Sequence, residues 1–268
     1  MKDINTIKED SFWMRNRLLE LGLKAGANGS HLGGALSLVE ILAALYSRIN
    51  LEIKDDLRDR VILSKGHGAM ALYCILERYG ILSPEEVDTF ETNSTKYFSH
   101  VSRDTNKLIE FSGGSLGLGV SYGVGVALAD KIKGLNNRIY IIMGDGECNE
   151  GIVWEALMTA KNQKLNNITF IVDCNGLQAD GPTSEVMDMI SLSDKFAAFG
   201  MEVTCIDGHS PEEIMDALGD TANDKCNVII ANTVKGKGIS FMENVASWHH
   251  GVLNQKKYES AKEELNSI

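Results

Sequence analysis

Apolar residues recur along this chain in two rhythms. From residue 7 to 25, Ile7, Met14, Leu18 and Leu21, with Phe12, Leu19 and Leu23 beside them, return at helical spacing between charged positions, which predicts an amphipathic helix. Residues 36–49 are apolar on more sides and predict a second, deeper helix. Apolar runs at 139–143 and 168–172, and shorter or mixed stretches at 60–64, 201–206 and 228–234, have strand length and predict strands. Helical stretches separate these runs, and Ser83-Pro84-Glu85-Glu86 and Ser210-Pro211-Glu212-Glu213 each combine a capping Ser, a first-turn Pro and a Glu three residues after the Ser. The alternation predicts an α/β fold with a mostly parallel β-sheet flanked by helices on both faces.

Two of the strands run into turns that carry chemistry. The run at 139–143 enters Gly144-Asp145-Gly146-Glu147, and the run at 168–172 enters Asp173-Cys174-Asn175-Gly176-Leu177. Both turns fall at the carboxyl ends of strands, where open α/β sheets bind ligands. Gly-Asp-Gly alone is as readily an ordinary tight turn as a site. Together the turns offer the Asp145 carboxylate, the Asn175 amide oxygen and the Leu177 main-chain carbonyl, hard oxygens of the kind Mg²⁺ shares with water and phosphate. Glycines let backbone N–H groups approach phosphate oxygens. Gly113, Gly114, Gly117, Gly119, Gly123 and Gly125 crowd a third segment. The first two are expected in a loop against a ligand, and the last three in close packing of a helix over 120–133.

Composition narrows the class. A net charge of −11 argues against a nucleic-acid or anionic-membrane surface, so an anionic ligand must be held by local groups. No apolar run reaches transmembrane length, and the polar start lacks a signal core, so a cytoplasmic protein is expected. The 5 cysteines are widely spaced with no C-x-x-C pair, which fits reduced thiols; Cys148 and Cys174 lie in the site turns and read first as packing residues. With 3 prolines and no repeat or low-complexity tract, 1–268 reads as a single domain, its core spanning about 7–255 and a polar helical tail 254–268. Of 6 histidines, His31, His67, His100 and the pair His249-His250 sit in segments resembling site loops; His209, beside Ser210-Pro211, reads as a bystander.

The motifs Ser30-His31-Leu32-Gly33-Gly34, Ser64-Lys65-Gly66-His67-Gly68, Gly114-Ser115-Leu116-Gly117, Gly144-Asp145-Gly146-Glu147 with Glu150-Gly151, Asp173-Cys174-Asn175-Gly176-Leu177-Gln178 and His250-Gly251 occur in the order found in the amino-terminal half of transketolase, which the chain resembles over about 7–255. The resemblance implies a thiamine-diphosphate-binding fold of the diphosphate-holding type. It implies thiamine diphosphate with Mg²⁺ (or Ca²⁺), the metal held by Asp145, Asn175 and the Leu177 carbonyl. Gly146, Glu147 and His67 match groups beside the diphosphate, and Gly114, Ser115 and Leu116 the loop touching the aminopyrimidine. His31, His100 and His250 match histidines that face the sugar and move protons. Glu150 matches an interface glutamate linking paired cofactors. Two places depart from the family: His100-Val101-Ser102-Arg103 lacks the usual His-Pro and Thr-Pro-Gly run, and the His249-His250 doublet leaves open which ring enters the site, Gly251 favouring His250.

The second, pyrimidine-binding domain of transketolase has no counterpart in these residues. The resemblance therefore implies one subunit of a split transketolase, active with a partner carrying that domain in an α₂β₂ assembly, and moving a two-carbon ketol unit from a ketose (phosphate) to an aldose. Other readings are a deoxyxylulose-phosphate synthase-like enzyme, a 2-oxo-acid dehydrogenase α-subunit-like enzyme, and a non-catalytic scaffold or regulatory subunit.

Overall fold

A computed structural model describes residues 2–51, 57–219 and 225–267. Its first helix, α1 (Ile4–Lys24), starts at Asp3, whose side chain accepts the Thr6 N–H. The helix expected over 36–49 forms as α3 (Val39–Arg48), preceded by a short additional helix, α2 (Leu32–Leu36). The break falls at Ser37, whose hydroxyl bonds back to the Gly34 carbonyl and reaches Asp173 at 2.6 Å. A mid-helix serine with such local bonds competes with helix continuation.

The chain then alternates: β1 (Arg60–Leu63), α4 (Ala69–Arg78), α5 (Pro84–Val87), α6 (Leu118–Lys133), β2 (Ile139–Gly144), α7 (Gly151–Asn162) and β3 (Ile168–Cys174). After these come α8 (Thr183–Val186), α9 (Leu192–Ala198), β4 (Glu202–Asp207), α10 (Pro211–Gly219), β5 (Asn227–Asn232) and α11 (Gln255–Asn266). Both Ser-Pro-Glu-Glu signals start helices. At α5 the capping box is complete, whereas at α10 Glu213 turns its carboxylate to the Asp207 N–H, and Ser210 alone caps.

The five strands pair in the order β1-β2-β3-β5-β4, every pairing parallel. The inner strands are covered on both sides, as parallel strands usually are, while the edge strand β4 is largely exposed; successive residues of β2 divide between two cores. Tyr140 and Ile142 join the cluster under α1, α3, α4, α10 and α11, while Ile139, Ile141 and Met143 join the one under α6, α7 and α9. Gly119 and Gly123 do pack closely, against the sheet rather than another helix: a Cβ on Gly119 would lie 2.6 Å from Ser64 Oγ, and on Gly123 2.4 Å from Ile141 Cδ1. Gly125 faces open space, so close packing is not its reason within this chain. The tail helix α11 is polar outward, yet Ala261 and Leu265 are buried against the first core, so it docks on α1 and is not wholly exposed. Among the described residues no helix is long and apolar enough to cross a membrane.

Candidate functional site

Four of the strands end at the same edge of the sheet, and each delivers a polar side chain there. Lys65 follows β1, Asp145 follows β2, Asn175 follows β3, and Lys235 lies just beyond β5. A second strand-like contact brings in distant histidines. Ser30 and Gly251 form an antiparallel bridge, with N–H to carbonyl distances of 2.9 and 3.0 Å in the two directions. That bridge sets His31 beside His249 and His250. Gly29 is required there: its φ is +69°, and a Cβ would lie 2.9 Å from His250 Cε1.

These elements enclose a cleft of about 310 Å³, lined by His31, His67, His100, His249, Lys65, Lys235, Gly114, Leu116, Asp145, Gly146, Glu147, Asn175 and Leu177 among others. Of the expected site residues, Ser115, Glu150 and His250 are exposed and do not line it. The five rings gather around His31. Its centroid lies 5.8 Å from His67, 5.2 Å from His100, 5.5 Å from His249 and 4.7 Å from His250. The motif favours His250 as the ring entering the site. The geometry instead puts His249 inside, 5.1 Å from His67 and hydrogen-bonded through Nδ1 to Lys235 Nζ at 2.9 Å, with His250 packed over Gly29 at the rim. Position in the doublet could not reveal this, because a short 3₁₀ turn at Ala246–His249 decides which ring points inward.

Beneath the cleft, Asp173 is fully buried and accepts from Lys65 Nζ, Ser37 Oγ, Thr233 Oγ1 and the Asn175 amide, the last at 3.2 Å. Burial alone would push its carboxyl upward, but the Lys65 ammonium and the two hydroxyls hold it below the usual carboxylate range. The Asn175 Nδ2 is thereby committed to Asp173, and its oxygen accepts the Leu177 N–H at 3.1 Å. Asp145 is pushed the other way, upward, by burial and by the Asp173 charge, while the N–H groups of Gly176 (2.6 Å) and Gly146 (2.8 Å) partly offset this.

The buried histidines are held neutral, and Lys235 keeps its proton less firmly than an exposed lysine. Burial, then Lys65, lowers Lys235 to about 8 even though Asp173 and Asp145 oppose this. Burial lowers His31 to about 3 and His249 to about 4, helped by neighbouring positive groups, and His67 falls well below its ordinary value for the same reasons. At neutral pH His31, His67 and His249 are uncharged, able both to donate and to accept.

Glu147, expected beside a bound ligand, lines the wall but has both oxygens engaged within the chain. One accepts from Ser64 Oγ and from the Gly117 N–H at 2.7 Å, the other from the Gly144 N–H at 3.2 Å. It ties the glycine-rich loop to β2. Gly113, expected against a ligand, lies instead against Gly66, where a Cβ on either would meet the other's Cα at 2.8–2.9 Å. Gly114 is the one that faces open space, at φ +147°. Cys148 is buried, and Cys174 borders a separate surface cleft; burial pushes both thiols up, Cys174 to about 12, so both are packing groups rather than nucleophiles.

The arrangement fits a metal-bound diphosphate on three observations. Lys235 Nζ already sits on the Leu177 carbonyl at 3.0 Å, so this oxygen attracts a cation. The His31 Nδ1 and Gln178 Nε2 are buried without partners. The φ and open space at Gly114 leave backbone accessible where a side chain would intrude. Among the described residues no three His, Cys, Asp or Glu side chains could hold a metal by themselves, so a cation here needs amide and carbonyl oxygens and the ligand's own oxygens. Lys65, Lys235 and Asp173 carry much of this site, and sequence reasoning gave none of them a role. A signal was available in the sequence: Lys65 and Lys235 each directly follow a stretch expected to be a strand, at 60–64 and 228–234, and Asp173 opens the turn after 168–172.

Comparison with known proteins identifies the family and the fold. The family described as "Transketolase, thiamine diphosphate binding domain" matches residues 11–267. The chain is 39% identical to one of the subunits named for the apulose-4-phosphate transketolase of Phocaeicola vulgatus, over 98% of this chain and 95% of that one. It is 41% identical to 6-deoxy-6-sulfo-D-fructose transketolase subunit SqwG of a Clostridium species, covering 88% of each. The solved transketolase of Campylobacter jejuni superposes with a TM-score of 0.90 at 31% identity, covering 99% of this chain and 43% of that one.

Proposed function

The chain belongs to the transketolase family, as its thiamine-diphosphate-binding domain, and on that premise we propose that it is the amino-terminal subunit of a split transketolase, working in the cytoplasm with Mg²⁺ (or Ca²⁺) and a partner subunit in an α₂β₂ assembly. The observation carrying this reading is Lys235 on the Leu177 carbonyl, between the Asp145 turn and the histidine cluster. It marks a place for cation and anion side by side. Relatives that the chain spans almost end to end are themselves named as transketolase subunits, which supports a partner. Five cysteines outside any disulfide support a reducing compartment.

In this reading Asp145, Asn175 and the Leu177 carbonyl hold the metal, and Gly146, His67, Lys235 and the Gly114–Leu116 loop hold the cofactor. Lys235 Nζ, whose present acceptors are the Leu177 carbonyl and His249 Nδ1, would supply positive charge to a bound phosphate. Thiamine diphosphate, when bound, supplies the carbon nucleophile that adds to a ketose carbonyl. His31 and His249, neutral at working pH, donate to the carbonyl oxygen as charge builds there and take the hydroxyl proton on cleavage. His100, exposed at the mouth, meets the outer part of the sugar. Glu150, exposed at the start of α7, faces the partner.

The test is calorimetric titration of thiamine diphosphate and Mg²⁺ into the chain, alone and with its co-purifying protein, for wild type and Asp145→Ala. Wild-type binding that needs the metal and vanishes in the variant is expected; unchanged binding removes Asp145 from the metal shell. Turnover of the pair on xylulose phosphate but not pyruvate separates this function from the synthase and dehydrogenase alternatives. Because relatives are named for apulose 4-phosphate and 6-deoxy-6-sulfo-D-fructose, the ketose panel includes a branched and a sulfonated sugar.

A further inference from the structure

The turn carrying Lys235 is fastened from outside the cleft. The Val234 N–H donates to His209 Nε2 at 2.8 Å. That nitrogen therefore carries no proton, and Nδ1–H donates to Glu40 Oε2 at 2.9 Å. Glu40 also accepts from both terminal nitrogens of Arg15, one at 2.9 Å, and Arg15 Nε donates to the Lys237 carbonyl at 3.2 Å. The network thus grips the chain one residue before Lys235 and two residues after it. Its members come from α1, α3 and the loop between β4 and α10, and none of them lines the cleft.

Glu40 is suited to anchor this brace. Burial alone would raise its carboxyl, but Arg15 and His209 bring it down to about 2, so it stays a charged acceptor at neutral pH. The inner side of the turn is held too: Thr233 Oγ1 donates to Asp173, the Gly236 N–H to the Gly33 carbonyl at 3.0 Å, and the Asn244 N–H to the Lys235 carbonyl at 2.9 Å. On the outer side, the bonds to the turn's own backbone at Val234 and Lys237 come from the His209 and Arg15 side chains of other elements. A lysine side chain has four rotatable bonds, so the site of its Nζ follows from where its backbone is pinned.

We infer that Glu40 and His209 are positioning residues that set where Lys235 Nζ stands, and thereby how tightly the cleft holds the phosphate end of an anionic ligand. The inference deepens the transketolase reading and rests on it. His209, read from sequence as a bystander, becomes part of the site at one remove.

The test compares His209→Ala, His209→Gln and Ile214→Ala in the full chain. Ile214 is buried on α10 away from the cleft and serves as a control for lost stability. Measured are the melting temperature, hydrogen exchange at the Val234 amide, acylation of Lys235 followed by peptide mass spectrometry, and calorimetric affinity for inorganic pyrophosphate and for thiamine diphosphate with Mg²⁺. In His209→Ala, Val234 exchange and Lys235 acylation rise, and both affinities fall about tenfold, the effect of roughly one lost hydrogen bond. His209→Gln restores most of the affinity, since its amide oxygen can accept the Val234 N–H, while Ile214→Ala lowers the melting temperature and leaves affinity unchanged. Equal loss of affinity in Ile214→Ala, or a lower melting temperature without faster Lys235 acylation in His209→Ala, overturns the brace. If wild type binds neither ligand, the functional reading fails, and the acylation rates still decide whether His209 places Lys235.

Discussion

Lys65 and Asp173 meet as a buried ion pair that reaches across β2, from the end of β1 to the end of β3, with side chains 1% and 0% exposed. The pair lies directly under Asn175, whose amide nitrogen also bonds Asp173. Fixing that amide leaves the Asn175 oxygen as the group available beside Leu177. A buried pair of this kind stabilises little in itself, but breaking it leaves a charge without compensation.

Lys65→Met is therefore expected to destabilise the chain by about 3–5 kcal/mol in urea unfolding. Pairing it with Asp173→Leu should recover much of that loss, while ligand affinity stays low because Asn175 is no longer oriented. Recovery of both together would show that the pair serves stability alone.

Gly66 and Gly113 touch backbone to backbone, a Cβ on Gly66 falling 2.9 Å from Gly113 Cα. Gly66→Ala should cost about 1–3 kcal/mol and displace the Gly114–Leu116 loop. Crystallography of the variant, with calorimetry of thiamine diphosphate, reads both effects. An unmoved loop with unaltered affinity would mean that the contact is not tight.

His249 lines the cleft and His250 its rim. In the reconstituted pair, His249→Ala should lower kcat by roughly 10²–10⁴, the range for a lost acid–base group, and His250→Ala by much less. Steady-state kinetics showing the reverse order would return the inner role to His250.

The buried neutral histidines make the fold acid-sensitive. An unfolded histidine gains its proton as pH falls below about 6.5, whereas His31 in the folded chain does so only near about 3. Between those values the unfolded state binds more protons, so stability is fully present above pH 6.5 and declines as pH falls. His31 alone should account for about 1 kcal/mol lost by pH 5, allowing for screening by solvent. Melting temperatures from pH 7.5 to 5 should fall in wild type and fall less in His31→Asn; parallel curves would assign the acid sensitivity elsewhere.

Much of the fold was legible because its causes are local. Short apolar-rich stretches marked the five strands, Ser-Pro-Glu-Glu marked the starts of α5 and α10, and the Gly-Asp-Gly turn marked the end of β2. The helix expected over 36–49 forms as α3, but the short α2 before it was not legible; at the break Ser37 bonds Asp173, far along the chain. Glu147 and Gly113 were placed near a ligand from their neighbours in sequence, but their partners, Ser64 with Gly117 and Gly66, come from other elements.

By itself, then, the order of residues determined the parallel α/β architecture, the turns at the ends of β2 and β3, and membership of a family whose domain binds thiamine diphosphate. Those properties follow from hydrophobic period, turn chemistry and motif order, all written within short spans. Tertiary structure alone decided that His249 rather than His250 points inward, that Lys65 neutralises Asp173, and that His209 steadies the turn beside Lys235. Each of those is a contact between segments far apart in sequence, settled by how the strands and helices pack, and no local pattern encodes it.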